Sequence, residues 1–177
     1  FPSRLHFKNE PAETLARLTA SKMPAGLNRV FFVSGGSEAV ESALKLARQY
    51  AVATDQPKRW KIISRHPSYH GSTIGALAVT GMENMTTPFA PMIREMPKIP
   101  APTCYLDHDD LTIEERGLRY AEMLRTEILR LGPKTVLGFI MEPVGGASTG
   151  ALVAPDGYYA RVAEICREFG ILLILDE

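Results

Sequence analysis

The chain has 177 residues, 45% hydrophobic and 23% charged, with a formal net charge of zero and a pI near 7.1. That length supports one sizeable core, and the composition is ordinary for a globular protein. Balanced charge argues against nucleic acid as a partner, which wants a basic face, and no apolar run is long enough to cross a bilayer, so no membrane partner is expected.

Chain order reads as alternating helix and strand. Pro11–Met23 patterns as a helix, with Ala12, Leu15, Ala16 and Leu18 on one side, broken by Pro24-Ala25-Gly26. Arg29–Val33 is a β-type run that stops at Ser34-Gly35-Gly36-Ser37. Ser37–Ala53 follows as a helix, its apolar side carrying Val40, Ala43, Leu44, Ala47 and Ala51 and its other side a Glu41–Lys45 pair. Trp60–Ser64 is the next strand, Arg65–Ser72 a polar loop, and Thr73–Thr80 a short helix. Residues 81–110 are proline-rich and read as a long irregular excursion. Ile113–Leu131 is a helix ended by Gly132-Pro133, and Val136–Met141 a buried-type strand. Glu142–Pro155 is a Gly-rich loop, Asp156 caps a helix running to Phe169, and Ile171–Leu175 is the last strand.

This pattern predicts an α/β fold, a mostly parallel sheet with helices on both faces. Ligands of such sheets bind beyond the carboxyl ends of the strands. The segments placed there are Ser34–Ser37, Arg65–Ser72, Glu142–Gly150 and Asp176-Glu177. Gly35, Gly36 and Ser37 open a helix, where unpartnered N–H groups and the helix dipole favour an anion. A Cβ at Gly36 is expected to crowd a bound phosphate and to resist a positive φ. Ser37 either caps the helix or bonds a phosphate oxygen. The alternative is an ordinary strand-to-helix turn; neither the P-loop nor the dinucleotide fingerprint is present. Tyr69 and His70 offer flat faces for stacking on a planar ligand, or else form a simple surface turn. His66 and His70 have no third ligand nearby, so no metal is expected. Glu142 and Asp176 both end strands on one edge, where charges are costly unless paired. A planar ring with a phosphate arm and a basic nitrogen suits all four segments, and pyridoxal phosphate fits.

Ser34-Gly35-Gly36-Ser37-Glu38-Ala39, followed by Glu41 and Ala43-Leu44-Lys45-Leu46-Ala47-Arg48, resembles the phosphate-cup motif of the class III (ω-) aminotransferases, in the fold-type I pyridoxal-phosphate superfamily. Tyr69-His70-Gly71, Glu142-Pro143-Val144 and Leu173-Ile174-Leu175-Asp176-Glu177 resemble the next three motifs, in order, over nearly the whole chain. The resemblance implies that Gly36 and Ser37 bind phosphate, Gly35 shapes the turn, Tyr69 stacks on the ring, Asp176 bonds the ring nitrogen and Glu142 supports that end; His70 is a neighbour. Gly35 stands where serine is common in the family, and Val40 where asparagine is common. Asp176 and Glu142 are the catalytic candidates. The family's Schiff-base lysine follows the Asp-Glu pair, and Lys8, Lys22, Lys45, Lys58, Lys61, Lys98 and Lys134 match no such position.

The implied activity is amino-group transfer between an amine or ω-amino acid donor and a keto-acid acceptor, with pyridoxal 5'-phosphate as cofactor. Alternatives are another fold-type I activity, such as an aminomutase or decarboxylase, or an unrelated nucleotide-binding α/β module. The chain begins at Phe1 and stops after an apolar run, so residues 1–177 are expected to form part of a large cofactor-binding domain and to be inactive alone. A homodimer with shared active sites is expected, with Met82, Met85, Phe89, Met92 and Ile93 on the partner surface. Cys104 and Cys166 lack CxxC or metal-ligand spacing and read as free thiols of a cytoplasmic protein; no signal peptide is visible.

Overall fold

Four apolar runs pair into one parallel sheet in the computed structural model, which describes residues 9–177. The strands are Lys61–His66 (β1), Lys98–Pro100 (β2), Val136–Met141 (β3) and Leu172–Leu175 (β4), in the order β2-β1-β3-β4. All three neighbouring pairs are parallel. The helices are Glu10–Lys22 (α1), Gly36–Ala53 (α2), Ile74–Val79 (α3), Glu83–Thr86 (α4), Ile113–Leu131 (α5) and Tyr158–Phe169 (α6). None is long and apolar enough to cross a membrane among the described residues.

The chain divides into two units, Phe1–Ser34 and Gly35–Glu177. In the first, Asn9 caps α1 by accepting the Ala12 N–H at 3.3 Å, and Pro11 sits in the opening turn where its missing donor costs nothing. Residues 27–33 are assigned to no strand, which corrects the β reading of Arg29–Val33. Apolar, β-branched and aromatic residues favour a strand, but composition alone does not assign one.

In the second unit the sheet separates two cores. Ile63, Phe139 and Met141 pack with Leu124, Ile128, Tyr158 and Ile165 of α5 and α6. Ile62, Leu137 and Ile140 pack with Val40, Ala47 and Ala51 of α2 and with Ala76 and Val79 of α3. Register slips between Lys61 and Ile62, opposite Val136 and Gly138, so one extra β3 residue is accommodated there. That bulge lets Leu137 face the α2 side while Val136 and Phe139 face the other. β4 is only partly buried, as expected of a strand with one neighbour here.

Local chemistry sets the helix ends. Thr112 accepts the Glu115 N–H at 3.2 Å and Glu115 accepts the Thr112 N–H at 2.8 Å, a reciprocal cap that starts α5. Asp156 is not the cap of α6. Gly157 holds that position with φ +84 and makes no side-chain cap bond, leaving Asp156 exposed. The Glu41–Lys45 pair is also absent, because the Glu41 carboxylate accepts the Gly75 N–H at 2.8 Å. Gly75 lies in the first turn of α3, where donors lack intrahelical acceptors, so the carboxylate is drawn inward. Residues 81–110 are less irregular than expected. They supply the edge strand β2, which Pro97 and Pro100 concealed; proline is tolerated on an edge.

Candidate active site

The carboxyl ends of β1, β3 and β4 lead into His66, Glu142 and Asp176, and all lie on one edge because the strands are parallel. A cavity of about 360 Å³ opens there, lined by Tyr69, Met82, Met85, Glu142, Val144 and Asp176 among others. The Asp176 N–H donates to the Met141 carbonyl at 3.0 Å, so the β3–β4 ladder carries the aspartate up to the cavity.

Asp176 is paired. Its Oδ2 lies 2.8 Å from His70 Nδ1, with the histidine side chain fully buried and the aspartate side chain 22% exposed. His70 is held from behind, its backbone N–H donating to Thr80 Oγ1 at 3.0 Å. Its Nε2 is buried with no partner. The tautomer that fits carries its proton on Nδ1 and donates it to Asp176, since a second N–H on Nε2 would be buried without an acceptor.

Glu142 is paired differently. Its Oε2 lies 3.1 Å from Arg65 Nη2, and its Oε1 accepts the Tyr69 N–H at 2.9 Å. Tyr69 itself is 41% exposed, with its ring on the cavity wall. Two acids on one edge are therefore compatible with burial, because each has its own basic partner.

The opening of α2 is next to this loop. Ser37 does not cap the helix; the cap position is Gly35, in extended backbone with φ −171. The Ser37 hydroxyl instead accepts the Ser72 N–H at 3.0 Å. Gly71 adopts φ +129, and a Cβ there would stand 2.6 Å from Ser37 Oγ, so glycine is required by both conformation and space. Tyr69-His70-Gly71-Ser72 thus runs from the cavity wall to the α2 N-terminus. Gly36 has no positive φ; it is the first helical residue, and a Cβ there would meet nothing within 4 Å. The expected strain at Gly36 is absent, while open space over the first turn is present. Glu38 folds back, its Oε2 2.8 Å from where a Gly35 Cβ would stand.

Arg65 and Thr80 are not singled out by the sequence, and Met82 and Met85, expected on a partner surface, line the cavity with Ser148 of the Glu142–Gly150 loop. Arg65 was placed in a polar loop, yet it is the penultimate residue of β1 and 3% exposed. Asking which cation neutralises Glu142 could have found it. Thr80 braces His70 from the end of α3, and nothing local marks it. No cluster of metal-binding side chains occurs among the described residues.

The geometry can be set beside known proteins. The family model for class-III aminotransferases matches residues 1–177. The uncharacterized aminotransferase YodT of Bacillus subtilis is 42% identical over 100% of this chain and 40% of its own length. The hypotaurine/taurine–pyruvate aminotransferase of Paracoccus denitrificans is 38% identical over 94% of this chain and 36% of its own. A thermostable (S)-enantioselective omega-transaminase from Thermomicrobium roseum superposes with a TM-score of 0.92 at 39% identity, covering 99% of this chain and 39% of that one. The chain thus spans about 40% of the length of such relatives. The chain belongs to the class-III aminotransferase family.

Proposed function

We propose that the full-length protein transfers amino groups between an amine or ω-amino acid and a keto acid, using pyridoxal 5'-phosphate. The observation that carries this reading is the His70–Asp176 pair at the cavity, 2.8 Å apart. A carboxylate held by a histidine behind it, and lining the cavity, suits a basic ring nitrogen in front. Class-III aminotransferases are pyridoxal-phosphate enzymes, and one relative is named for taurine and pyruvate.

The residues present fit the cofactor. Open space over Gly36, at the N-terminus of an 18-residue helix, suits a phosphate. Gly36 and Ser37 would supply N–H donors, and the Ser37 hydroxyl, already accepting from Ser72, keeps its own proton to donate. Tyr69 would cover a ring face, Asp176 would hold a proton at the ring nitrogen, and Glu142 and His70 would brace that end. Glu38 would have to turn aside, because a carboxylate and a phosphate compete for one helix end. When bound, the cofactor supplies an electron sink for a carbanion beside nitrogen. Asp176 serves that chemistry by keeping the sink charged, and Tyr69 by excluding water from one face.

Residues 1–177 are then part of a larger cofactor-binding domain, and the anchoring lysine lies outside them. Among the described residues no lysine lines the cavity; Lys8 falls outside them. Exposed Met85, Phe89 and Met92 suit a second subunit. The reading is tested by titrating the full-length protein with pyridoxal phosphate and NAD separately, then trapping with borohydride and mapping the peptide. Retention of pyridoxal phosphate on one lysine outside residues 1–177 is expected. Retention of NAD alone, or a dominant label within residues 1–177, refutes it.

A further inference from the structure

Arg65 and Glu142 form an ion pair whose side chains are only 4% and 7% exposed. Arg65 Nη2 donates twice, to Glu142 Oε2 at 3.1 Å and to the Glu142 carbonyl at 2.6 Å. The other carboxylate oxygen accepts the Tyr69 N–H at 2.9 Å. Both oxygens are therefore engaged by this chain's own donors, one at the end of β1 and one in the loop that presents the Tyr69 ring. The same loop is pinned from its other side. Ser68 Oγ donates to the Arg65 carbonyl at 2.6 Å, and Ser68 and Gly81 bridge through their backbones. Around Tyr69, the guanidinium is the fixed point from which the loop is hung.

Glu142 lines the cavity, but each of its carboxylate oxygens already accepts a donor from this chain, so Arg65 and the Tyr69 N–H fix its orientation. We propose that Arg65 is a positioning residue, holding the Tyr69 backbone through Glu142 and so placing the ring against the cofactor, and that Glu142 works in this relay rather than as a reacting group. The proposal rests on the pyridoxal-phosphate reading above.

A positioning role and plain support of the fold make different predictions. Without Arg65, Glu142 is a buried charge with one partner; it turns toward water in the cavity and lets go of Tyr69. With Glu142→Gln alone, a single amide oxygen faces two donors, Tyr69 N–H and Arg65 Nη2, and one goes unpaired. With both Arg65→Met and Glu142→Gln, the amide oxygen is free for Tyr69 and no charge is buried. The losses are therefore non-additive.

The experiment is a double-mutant cycle in the full-length protein, read by the dissociation constant of pyridoxal phosphate and the visible circular-dichroism band of the bound cofactor. Melting of the cofactor-free protein is measured separately. Arg65→Met is expected to weaken cofactor binding about tenfold and to reduce the band by about half, with recovery to within about threefold of wild type in the double variant. Arg65→Lys, which keeps a cation and a donor, is expected to stay within about threefold as well. Unchanged binding and band in Arg65→Met, or a double loss equal to the product of the single losses, overturns the proposal. If Arg65→Met does not fold, the double variant and Arg65→Lys decide: weakening beyond about tenfold in both overturns it, and near-wild-type binding in both supports it. A wild-type protein that does not bind pyridoxal phosphate overturns both this proposal and the functional reading, whereas binding with additive losses overturns the proposal alone.

Discussion

His70 Nδ1 lies 2.8 Å from Asp176 Oδ2, joining the loop after β1 to the end of β4 across 106 residues. The histidine is anchored by Thr80 and closed to solvent, while the aspartate, with Oδ2 committed to it, lines the cavity. Under the proposed function its value lies in its charge. In Asp176→Asn the shape survives and the charge does not. The full-length variant is expected to keep cofactor affinity within about threefold of wild type, while kcat falls by roughly 10²–10⁴. Stopped-flow single-turnover transamination measures this, and near-normal turnover refutes the pyridinium role.

Gly36→Val tests the phosphate cup. The helix tolerates the change, because Gly36 has ordinary helical backbone and a Cβ there meets nothing in the protein. The branches instead occupy the space above the first turn. Pyridoxal-phosphate affinity of the full-length protein is expected to drop about tenfold or more, with melting of the cofactor-free protein nearly unchanged. Equal affinity in an equilibrium titration removes the phosphate from this site.

Gly81→Ala tests how tightly the Tyr69 loop is packed. A Cβ at Gly81 would stand 2.1 Å from the Arg65 carbonyl oxygen and 2.9 Å from His66 Cα, both rigid backbone. Relief requires parting the Ser68–Gly81 bridge. A destabilisation of about 2–3 kcal/mol is expected, read as a lowered urea midpoint. A midpoint within error of wild type shows that the bridge is looser than described.

The two cysteines should be inert in the folded protein. Burial pushes the Cys166 thiol up to about 12, and burial also raises Cys104, assisted by the nearby Asp107 charge. At pH 8 only about one Cys166 in ten thousand is then thiolate. Ellman's reagent is expected to label neither residue quickly in native protein and both on denaturation. Rapid native labelling contradicts the packing of α6 on the sheet.

Asp109 should titrate at unusually low pH. The Arg119 and Arg116 guanidiniums hold the Asp109 carboxyl down to about 2. Its folded value is below its ordinary one, so its stabilising contribution is complete above about pH 4 and is lost as pH falls toward 2. In an acid titration by nuclear magnetic resonance, Asp109 is expected to protonate near pH 2. Titration near pH 4 shows the contacts to be unoccupied in solution. Because Asp109 is at the surface, the effect is confined to its own titration.

Helix α5 and strand β3 could be bounded to the residue from sequence, Ile113–Leu131 and Val136–Met141. Their signals are local: helical spacing ended by Gly132-Pro133, and an unbroken apolar run. The four motif segments were also legible, since their order along the chain follows from the alternation of strand and helix. Parallel pairing then had to bring Glu142 and Asp176 to one edge.

What tertiary structure alone decided is who meets whom. Arg65 reads as loop polarity until β1 and β3 lie side by side and set it against Glu142. Glu41 reads as a solvent-facing partner of Lys45 until α3 arrives with an unpaired Gly75 N–H. The proline-containing run Lys98–Pro100 does not read as a strand until β1 pairs with it. Periodicity and capping act over a few residues and are written in the sequence. Hydrogen-bond partners and neutralising charges are supplied by segments tens of residues away, and only the packed sheet assigns them.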